Sequence, residues 1–416
     1  MKVYVTTLGT WGDILPFMKI AKALKERGHE VIMLTNEKFR KNIEKEKIDF
    51  HAVADEESLN NALNYIVNDG LVWESESKNT SNLKKVIEST STIFIKPSKA
   101  IYDYIEKTYK KGDTVIVSNY LCYSSRYVQD KLNIPVISTV LVPFYFRSKK
   151  RPPEQAMMPR EKPAFMKYLG EKFFNDLIMY KRLFTDYEEL DMKKYSKYKR
   201  RFSPNKVVCL VPEFIAKPQS DWPKQTVCLG FPENVLDDNN DYDESIVEFA
   251  KNERPILFSL GSQYRKDSKI ILESVKTCEL LGEKAIFLGC DKEKMNIEES
   301  ESFKFVKYFP ISKIIEYCSL LVCHGGIGTC TEAFRKGVPI LIVPEFPEHW
   351  DTAYRIEELG LGLMLNRNDY VANTAKDIIG KLINSPVIQE SCKRCAKMLE
   401  NQNTLDNYCK IVEETL

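Results

Sequence analysis

The chain has 416 residues, of which 43% are hydrophobic, and this length predicts two domains with sizeable cores. The formal net charge of +2 gives no support for a nucleic-acid partner. No stretch of the sequence is close to the eighteen uncharged apolar residues of a membrane span, so we expect no integral membrane segment. The start MKVYVTTLGTWGD becomes polar too early for a signal peptide, so we expect a cytoplasmic location.

A strand, a loop, a helix and a second strand are predicted at the start of the chain. KVYVTT is typical of a strand, and after the loop LGTWGD apolar residues recur on one face of a helix at Phe17, Ile20, Ala21 and Leu24. Gly28 is predicted to end this helix, and EVIMLT is predicted to form the next strand. Strands joined by a helix predict a parallel α/β layer, which TVIVS, PVISTV and KVVCLV continue.

Two long segments, residues 55–110 and 145–200, interrupt this rhythm. They are rich in Lys, Tyr and Phe and are predicted to form helices. Insertions of this kind in an α/β domain tend to shape binding surfaces. Residues 232–253 are acidic and rich in Asn, which predicts a linker. Further strands are then predicted at PILFSL, KAIFLG, FKFV, SLLVCH and PILIVP. The predicted domains are therefore 1–231 and 254–400, followed by a C-terminal helix at 401–416 that could pack back on the first domain.

Two patterns that are found in metal sites are interpreted here as structural. Cys392 and Cys395 have C-x-x-C spacing, but zinc needs four ligands and no second pair or histidine is near, so an exposed helix is favoured. Asp241 and Asp243 form a D-x-D pattern inside the acidic linker, which favours a solvated acidic run. We therefore expect no metal site.

The stretch CHGGIGTCTEAF, residues 323–334, lies between a predicted strand and a predicted helix. The unpaired N–H groups and partial positive charge of a helix N-terminus attract phosphate, and glycines let the main chain approach the ligand closely. His324 and Thr329 could then donate to phosphate oxygens, and Glu332 could accept hydrogen bonds from a ribose diol. The alternative is a tight turn with His324 as a core histidine, but the joint spacing of these groups favours a phosphate site.

Four segments of the chain resemble the family 1 glycosyltransferases, which use nucleotide sugars and have the GT-B fold. HGGIGTCTEAFRKGVPILIVPEFPEHWDTAYRIEELGLG resembles their C-terminal signature. GTWGDILPFMKIAKALKERGHEV resembles the acceptor-side loop and first helix of bacterial antibiotic and sterol glycosyltransferases, and LVPEFIAKPQSDWP and LFSLGS match further segments in the same order. The resemblance implies an α/β fold in which two Rossmann-like domains face each other across a cleft.

The resemblance also implies a donor site, mainly in the second domain. The diphosphate would be bound by His324 and by the backbone of Gly325, Gly326, Gly328 and Thr329, and the ribose by Glu332. Gly12 would also contact the nucleotide sugar, and Ser262, which follows Gly261, would reach the phosphates. Tyr308 would stack on the base, and Ile311 would contact the edge of the base. For Tyr308 the alternative is an ordinary core aromatic.

Asp13, in GTWGDILP, is predicted at the junction of the first strand and the first helix. Its position alone favours a helix N-cap. The resemblance implies a catalytic base, because bacterial relatives place a carboxylate here that takes the proton of an acceptor hydroxyl. Other members use a histidine paired with an Asp, for which the segment VSNYLCY offers only Asn119. Both roles of Asp13 can coexist if only one of its oxygens caps.

Glu348 and His349, in FPEHWDTAY, depart from the Asp-Gln or Glu-Gln pair with which relatives hold the sugar hydroxyls. Glu348 can still accept from two hydroxyls, whereas a neutral His349 has one donor and a shorter reach than Gln. The identity of the sugar is therefore not predicted, and His349 could instead pack beside Trp350.

Together these features predict an inverting, metal-independent glycosyltransferase that uses a UDP-sugar, with a dTDP-sugar less favoured. We expect a nucleotide sugar and a small lipophilic acceptor, such as a natural product, sterol or lipid, as partners, no further cofactor, and a monomer or homodimer. The alternatives are a nucleotide-sugar epimerase and a non-catalytic nucleotide-sugar-binding protein.

Aromatic residues in the insertions (VPFYFRSKKRPP and FMKYLGEKFFNDLIMYKRLF) indicate a partly apolar acceptor pocket. A helix of this kind could also contact a membrane or simply pack. Both charge signs occur on its polar face, which argues against a pure membrane anchor.

Overall fold

The computed structural model describes residues 1–66, 80–154, 162–173, 176, 180–185, 187–233, 236, 242–260, 268–290 and 300–416. The chain divides into two compact units. Unit 1 comprises Met1–Pro153, Met157–Asp237 and Asn403–Leu416, and unit 2 comprises Glu154–Ala156 and Asp238–Gln402. Each unit is built on a parallel β-sheet, as the alternation of strands and helices predicts.

Unit 1 contains a seven-stranded sheet of order β3-β2-β1-β4-β5-β6-β7. Its strands are β1 Lys2–Thr6, β2 Glu30–Asn36, β3 Asp49–Ala54, β4 Thr114–Asn119, β5 Val136–Val140, β6 Lys206–Cys209 and β7 Thr226–Cys228. Val3 and Tyr4 of β1 are both fully buried but belong to different hydrophobic clusters, because helices cover both faces of the sheet.

Unit 2 contains a six-stranded sheet of order β10-β9-β8-β11-β12-β13. Its strands are β8 Ile256–Ser259, β9 Ala285–Leu288, β10 Phe303–Val306, β11 Leu320–Cys323, β12 Ile340–Ile342 and β13 Gly362–Met364. In both sheets the strand order reverses next to the first strand of the unit, between β1 and β4 and between β8 and β11. Ligands of doubly wound sheets bind at the carboxyl ends of the strands at such a reversal.

Helices surround both sheets. In unit 1 they are α1 Trp11–Glu26, α2 Arg40–Lys45, α3 Glu56–Tyr65, α4 Thr80–Phe94, α5 Ser98–Thr108, α6 Ser124–Leu132, α7 Ala164–Lys172, α8 Lys181–Thr185 and α9 Tyr198–Arg201. In unit 2 they are α10 Glu244–Glu253, α11 Ser268–Leu281, α12 Ile327–Lys336, α13 Pro347–Glu358, α14 Ala372–Asn384 and α15 Pro386–Leu399. In the described part of the chain, no helix has the length and hydropathy needed to cross a membrane.

The strands predicted from apolar runs are all confirmed, and Gly28 follows α1 with a positive φ of 85°. The sequence did not predict β3, β7 and β13, because they are short or partly polar and lack a periodic pattern. Helix α10 occupies the second half of the segment 232–253, where burial of Ile246 and Ala250 anchors it.

The last helix, α16 Thr404–Glu413, belongs to unit 1. Leu405, Tyr408 and Val412 are buried in the same cluster as α1. The Glu233 carboxylate accepts the main-chain N–H groups of Thr404 at 2.6 Å and Leu405 at 3.0 Å, which satisfies two donors at the start of the helix.

Candidate active site

Asp13 lies in the first turn of α1, directly after β1. The N-cap is Thr10, so the prediction that Asp13 itself is the N-cap is wrong; Asp13 is the third helical residue. Its Oδ2 accepts the Thr10 N–H at 2.9 Å, which is the Asp13 half of a capping box, and it also accepts the Thr10 hydroxyl at 3.3 Å. Both bonds from Thr10 therefore use one carboxylate oxygen.

Gly9 makes this approach possible, and the sequence alone did not indicate it. Its φ is +124°, and a Cβ atom there would lie 2.3 Å from Oδ2 of Asp13. Any side chain at this position would displace the carboxylate or the loop. The available signal was a glycine between a strand and a capped helix, a pattern that also occurs in turns without function.

Asn119, the last residue of β4, lies across the strand reversal from Asp13, and its side chain acts to lower the pKa of the Asp13 carboxyl. Its side-chain amide also donates to the Thr7 hydroxyl at 3.3 Å. Burial raises the pKa of Asp13 to about 6, while the hydrogen bonds from Thr10 and the polar side chain of Asn119 act in the opposite direction. Asp13 is consequently ionised at neutral pH but a stronger base than an exposed Asp.

In unit 2, the loop after β11 leads into the N-terminus of α12. The N-cap is Gly326, which has no side chain to cap the helix, and the first helical bond runs from the Cys330 N–H to the Gly326 carbonyl. The N–H groups of residues 327–329 therefore have no partner within the helix. Gly325 has a φ of +97°, and a Cβ there would lie 2.9 Å from Ile342, so this position needs glycine. The arrangement is suited to an anion.

His324 connects the loop to the sheet. Its Nδ1 is buried and has no well-formed hydrogen bond in the described part of the chain. Its Nε2 lies over the loop, 2.6 Å from where a Cβ of Gly326 would be. Burial lowers the pKa of His324 to about 4, although the main chain of Ser259 acts in the opposite direction. The ring is therefore neutral at physiological pH.

His349 lies in the first turn of α13 and is 6% exposed. Its Nδ1 accepts the main-chain N–H of Phe346 at 3.1 Å and that of Glu345 at 3.4 Å, which places the proton of the neutral ring on Nε2. The centroids of the His349 and His324 rings are 4.8 Å apart. The ring thus fixes the start of α13 beside the loop of residues 324–326, and a contact between His349 and a sugar stays a prediction.

The other predicted donor-site residues are placed as follows. Thr329 and Glu332 are half-buried in α12, Glu348 is half-buried at the start of α13, Gly328 is exposed, and Gly12 is exposed in α1. Among the described residues, neither the Thr329 hydroxyl nor the Glu332 carboxylate has a hydrogen-bond partner. Gly261 and Ser262 lie outside the described residues.

Tyr308 is 66% exposed, so the alternative that it is a core aromatic is wrong. The neighbouring Phe309 is buried in its place, at 4% exposure. Ile311 starts a short 3₁₀ turn after Pro310 and is half-buried.

Cys392 and Cys395 lie on a helix, as predicted, but both are buried, so the expected exposed setting is wrong. They occupy the apolar face of α15, where the Cys392 thiol contacts the Leu361 carbonyl. Within the described ranges no three His, Cys, Asp or Glu side chains are grouped to hold a metal ion.

Two family models match the chain: the glycosyltransferase family 28 N-terminal domain over residues 3–149, and the erythromycin biosynthesis protein CIII-like C-terminal domain over residues 284–413. A sterol 3-beta-glucosyltransferase of Arabidopsis thaliana is 25% identical over 97% of this chain. The chain spans 66% of that enzyme's length and 27% of the length of a Candida albicans sterol 3-beta-glucosyltransferase, which is 22% identical.

Solved structures of similar fold cover the whole chain. The glycotransferase of kitacinnamycin has a TM-score of 0.76 and 15% identity, with 100% of this chain and 99% of that chain covered. Glycosyltransferase VinC, solved in complex with dTDP, has a TM-score of 0.69 and 16% identity over the same shares. At these identities the likeness shows the fold.

Proposed function

Because the chain belongs to the family 1 glycosyltransferases and has their GT-B fold, we propose that it transfers a sugar from a nucleoside diphosphate sugar to an acceptor hydroxyl, with inversion at the anomeric carbon. Unit 1 supplies the base and unit 2 binds the donor. The hydroxyl oxygen attacks the anomeric carbon as its proton passes to Asp13. The bond from that carbon to the diphosphate breaks, and the leaving group keeps the electron pair.

The Asp13 carboxylate is the observation that carries this proposal. A base for a hydroxyl group must be ionised, fixed in place and more basic than an ordinary carboxylate. The N–H and hydroxyl groups of Thr10 hold Oδ2 at 2.9 and 3.3 Å, and burial raises the pKa to about 6. A carboxylate that served only as a cap would gain nothing from a raised pKa, because capping is strongest for the ionised form.

The start of α12 supports the donor side of the proposal. The N–H groups of residues 327–329 and the Nε2 side of His324 would stabilise the charge that grows on the departing diphosphate. We propose that this electrostatic stabilisation serves in place of a metal ion.

We propose a UDP-sugar as the donor. Glu332, which has no partner in the described part of the chain, is suited to accept two hydrogen bonds from a ribose diol, and deoxyribose offers only one. The ring of Tyr308 is 66% exposed, and we propose that it stacks on the base. VinC was solved with dTDP, so the comparison of UDP with dTDP by isothermal titration calorimetry tests this preference directly.

Two sterol 3-beta-glucosyltransferases and the glycotransferase of kitacinnamycin are among the similar proteins, and we propose a lipophilic acceptor on that basis. Glu348 would hold sugar hydroxyls, with His349 as a second contact through Nε2.

The decisive experiment incubates the protein with a panel of UDP- and dTDP-sugars and lipophilic acceptors, and follows nucleotide release together with the mass gain of the acceptor. Transfer is expected, and Asp13→Asn should abolish it while nucleotide affinity stays within about twofold, because the base does not contact the nucleotide. Nucleotide binding without transfer to any acceptor would instead indicate a binding protein. Interconversion of the donor sugars without an acceptor would indicate an epimerase.

A further inference from the structure

Helix α7 presents its polar residues to the protein and its apolar residues to solvent. Lys167 and Glu171 are 5% and 7% exposed, whereas Phe165, Leu169 and Phe173 are 61%, 54% and 60% exposed. The three apolar residues are spaced by four and so share one face of the helix. Surface helices normally have the opposite arrangement, and a large exposed apolar face indicates an interaction surface.

The inner face of α7 is anchored by buried charges. Arg147 donates to the Glu171 carboxylate at 3.2 Å and to Asp176 at 2.7 Å, and Arg201 donates to Asp176 at 2.8 Å. These contacts fix which face of the helix points outwards. Lys167 and Glu171 have opposite charges, and both are buried against the protein, so they do not weaken the outer face.

Basic residues lie beside α7 and at both of its ends. The run KKR at residues 149–151 is exposed, and Nζ of Lys149 lies 5.7 Å from the ring centroid of Tyr168 on α7. Lys162 and Lys172, at the two ends of the helix, are also exposed. Among the nearby acids, Glu171 and Asp176 are bound to arginines, and Asp221 accepts the main-chain N–H of Lys149.

We propose that α7 and the run 149–151 dock the chain on the surface of an anionic lipid bilayer. Phe165, Leu169 and Phe173 would enter the boundary between headgroups and acyl chains, and the basic residues would meet the anionic headgroups. The charge favours this occupant over a second copy of the chain, because a symmetric dimer through this face brings the two basic rims together. This surface is separate from the proposed chemistry of Asp13 and does not depend on it.

The test is flotation of the full-length protein with vesicles of phosphatidylcholine alone and of phosphatidylcholine mixed with phosphatidylglycerol. Binding is expected for the anionic vesicles and should weaken as salt is added. The combined change Phe165→Ser, Leu169→Ser and Phe173→Ser should reduce binding at least about tenfold, because the apolar contact is lost. The double change Lys149→Ala and Lys150→Ala should reduce vesicle binding by about tenfold or more, because attraction to the anionic headgroups is lost while the apolar face of α7 is unchanged.

A matched control changes two other exposed apolar residues, Val387→Ser and Met398→Ser on α15, which are 74% and 55% exposed. This variant should bind anionic vesicles like the unchanged protein. The proposal is overturned if the unchanged protein does not float, or if the α7 variant floats equally well. It is also overturned if the unchanged protein forms a dimer that the α7 variant loses, with no difference in vesicle binding. Thermal unfolding of each variant verifies that the fold is kept. We expect the fold to be kept because the changed side chains are exposed.

Discussion

At the scale of single residues, Asp13 combines two opposing influences. Hydrogen bonds from Thr10 and the polar side chain of Asn119 favour its ionised form, but burial disfavours that form more strongly, and the pKa rises to about 6. The protein therefore holds a charged group where the charge costs folding free energy. This is a common property of residues that are kept for chemistry.

The raised pKa predicts how stability and activity depend on pH. The folded carboxyl binds its proton more tightly than the unfolded one, so its ionisation destabilises the fold progressively as pH rises from about 4 to about 6. Asp13→Asn should therefore raise the free energy of unfolding at pH 8, by at most about 3 kcal/mol, with the gain disappearing near pH 4. Denaturant unfolding at a series of pH values measures this.

The pH dependence of activity should follow the ionisation of the same carboxyl group. We expect kcat/KM of the unchanged protein to fall about tenfold per pH unit below about pH 6, because only the ionised carboxylate accepts a proton. An activity profile that is flat through pH 6, or an Asn variant that is less stable at pH 8, would contradict the assignment of the raised pKa to Asp13.

At the scale of elements, the junction of β1 and α1 depends on a glycine. Gly9→Ala forces a Cβ to within 2.3 Å of the Asp13 carboxylate, so we expect kcat to fall by about 100-fold or more as the base is displaced. Gly28→Ala is the matched control, because Gly28 also has a positive φ, +85°, but a Cβ at Gly28 would meet no atom within 4 Å. Gly28→Ala should lose about 1 kcal/mol of stability and Gly9→Ala at least as much, and only Gly9→Ala should lose activity. Equal activity of the two would show that the close approach has no catalytic role.

The start of α12 allows a similar separation of binding from folding. Gly328 is exposed, and a Cβ there would meet no protein atom within 4 Å, so Gly328→Ala should leave stability unchanged or slightly raised. We expect UDP affinity to fall by about tenfold, because the methyl group occupies the space where a diphosphate approaches the N–H groups.

Gly380→Ala in α14 is the control for this substitution. Its nearest neighbour would be Leu281 at 3.8 Å, so the helix can accept the methyl group and UDP affinity should not change. Titration calorimetry with UDP, together with thermal unfolding, measures both variants. Unchanged UDP affinity in Gly328→Ala would place the diphosphate elsewhere.

At the scale of the whole molecule, the C-terminal helix completes unit 1. Leu405, Tyr408 and Val412 fill the cluster behind α1, and the Tyr408 hydroxyl bonds to Thr139 of β5. Deletion of residues 404–416 exposes these contacts, and each large buried side chain is worth about 2–5 kcal/mol. We therefore expect the deletion to lower the unfolding temperature of unit 1 or to prevent its folding.

Calorimetric unfolding of the shortened chain tests this expectation. The transition of unit 2 should persist, because its core contains no residue of α16. As a milder control, Leu416→Ser changes an exposed residue of the same segment, 52% exposed, and should leave both transitions in place. A deleted chain with unchanged unfolding would show that the helix contributes little to unit 1.

The sequence predicted the fold well where the local signal was strong. The apolar runs of the sheets and the helix face at Phe17, Ile20, Ala21 and Leu24 were found because strands and helices bury residues with fixed periods. The sequence was less informative for β7 and β13, with three residues each, and for α10, which forms in a polar segment. Those elements are stabilised by neighbours that are distant in the chain, such as β6 for β7.

The sequence by itself determined the α/β class, the glycine-rich turn from His324 into the helix that carries Glu332, and the position of Asp13, because each is carried by residues close together in the chain. Only the tertiary structure decided that Asn119 lies beside Asp13, that His349 lies beside the loop of residues 324–326, and that α7 turns its apolar face outwards. These three facts depend on burial and on contacts between distant segments. Burial also sets the pKa of Asp13, since the same carboxylate in a solvated loop would be an ordinary weak base.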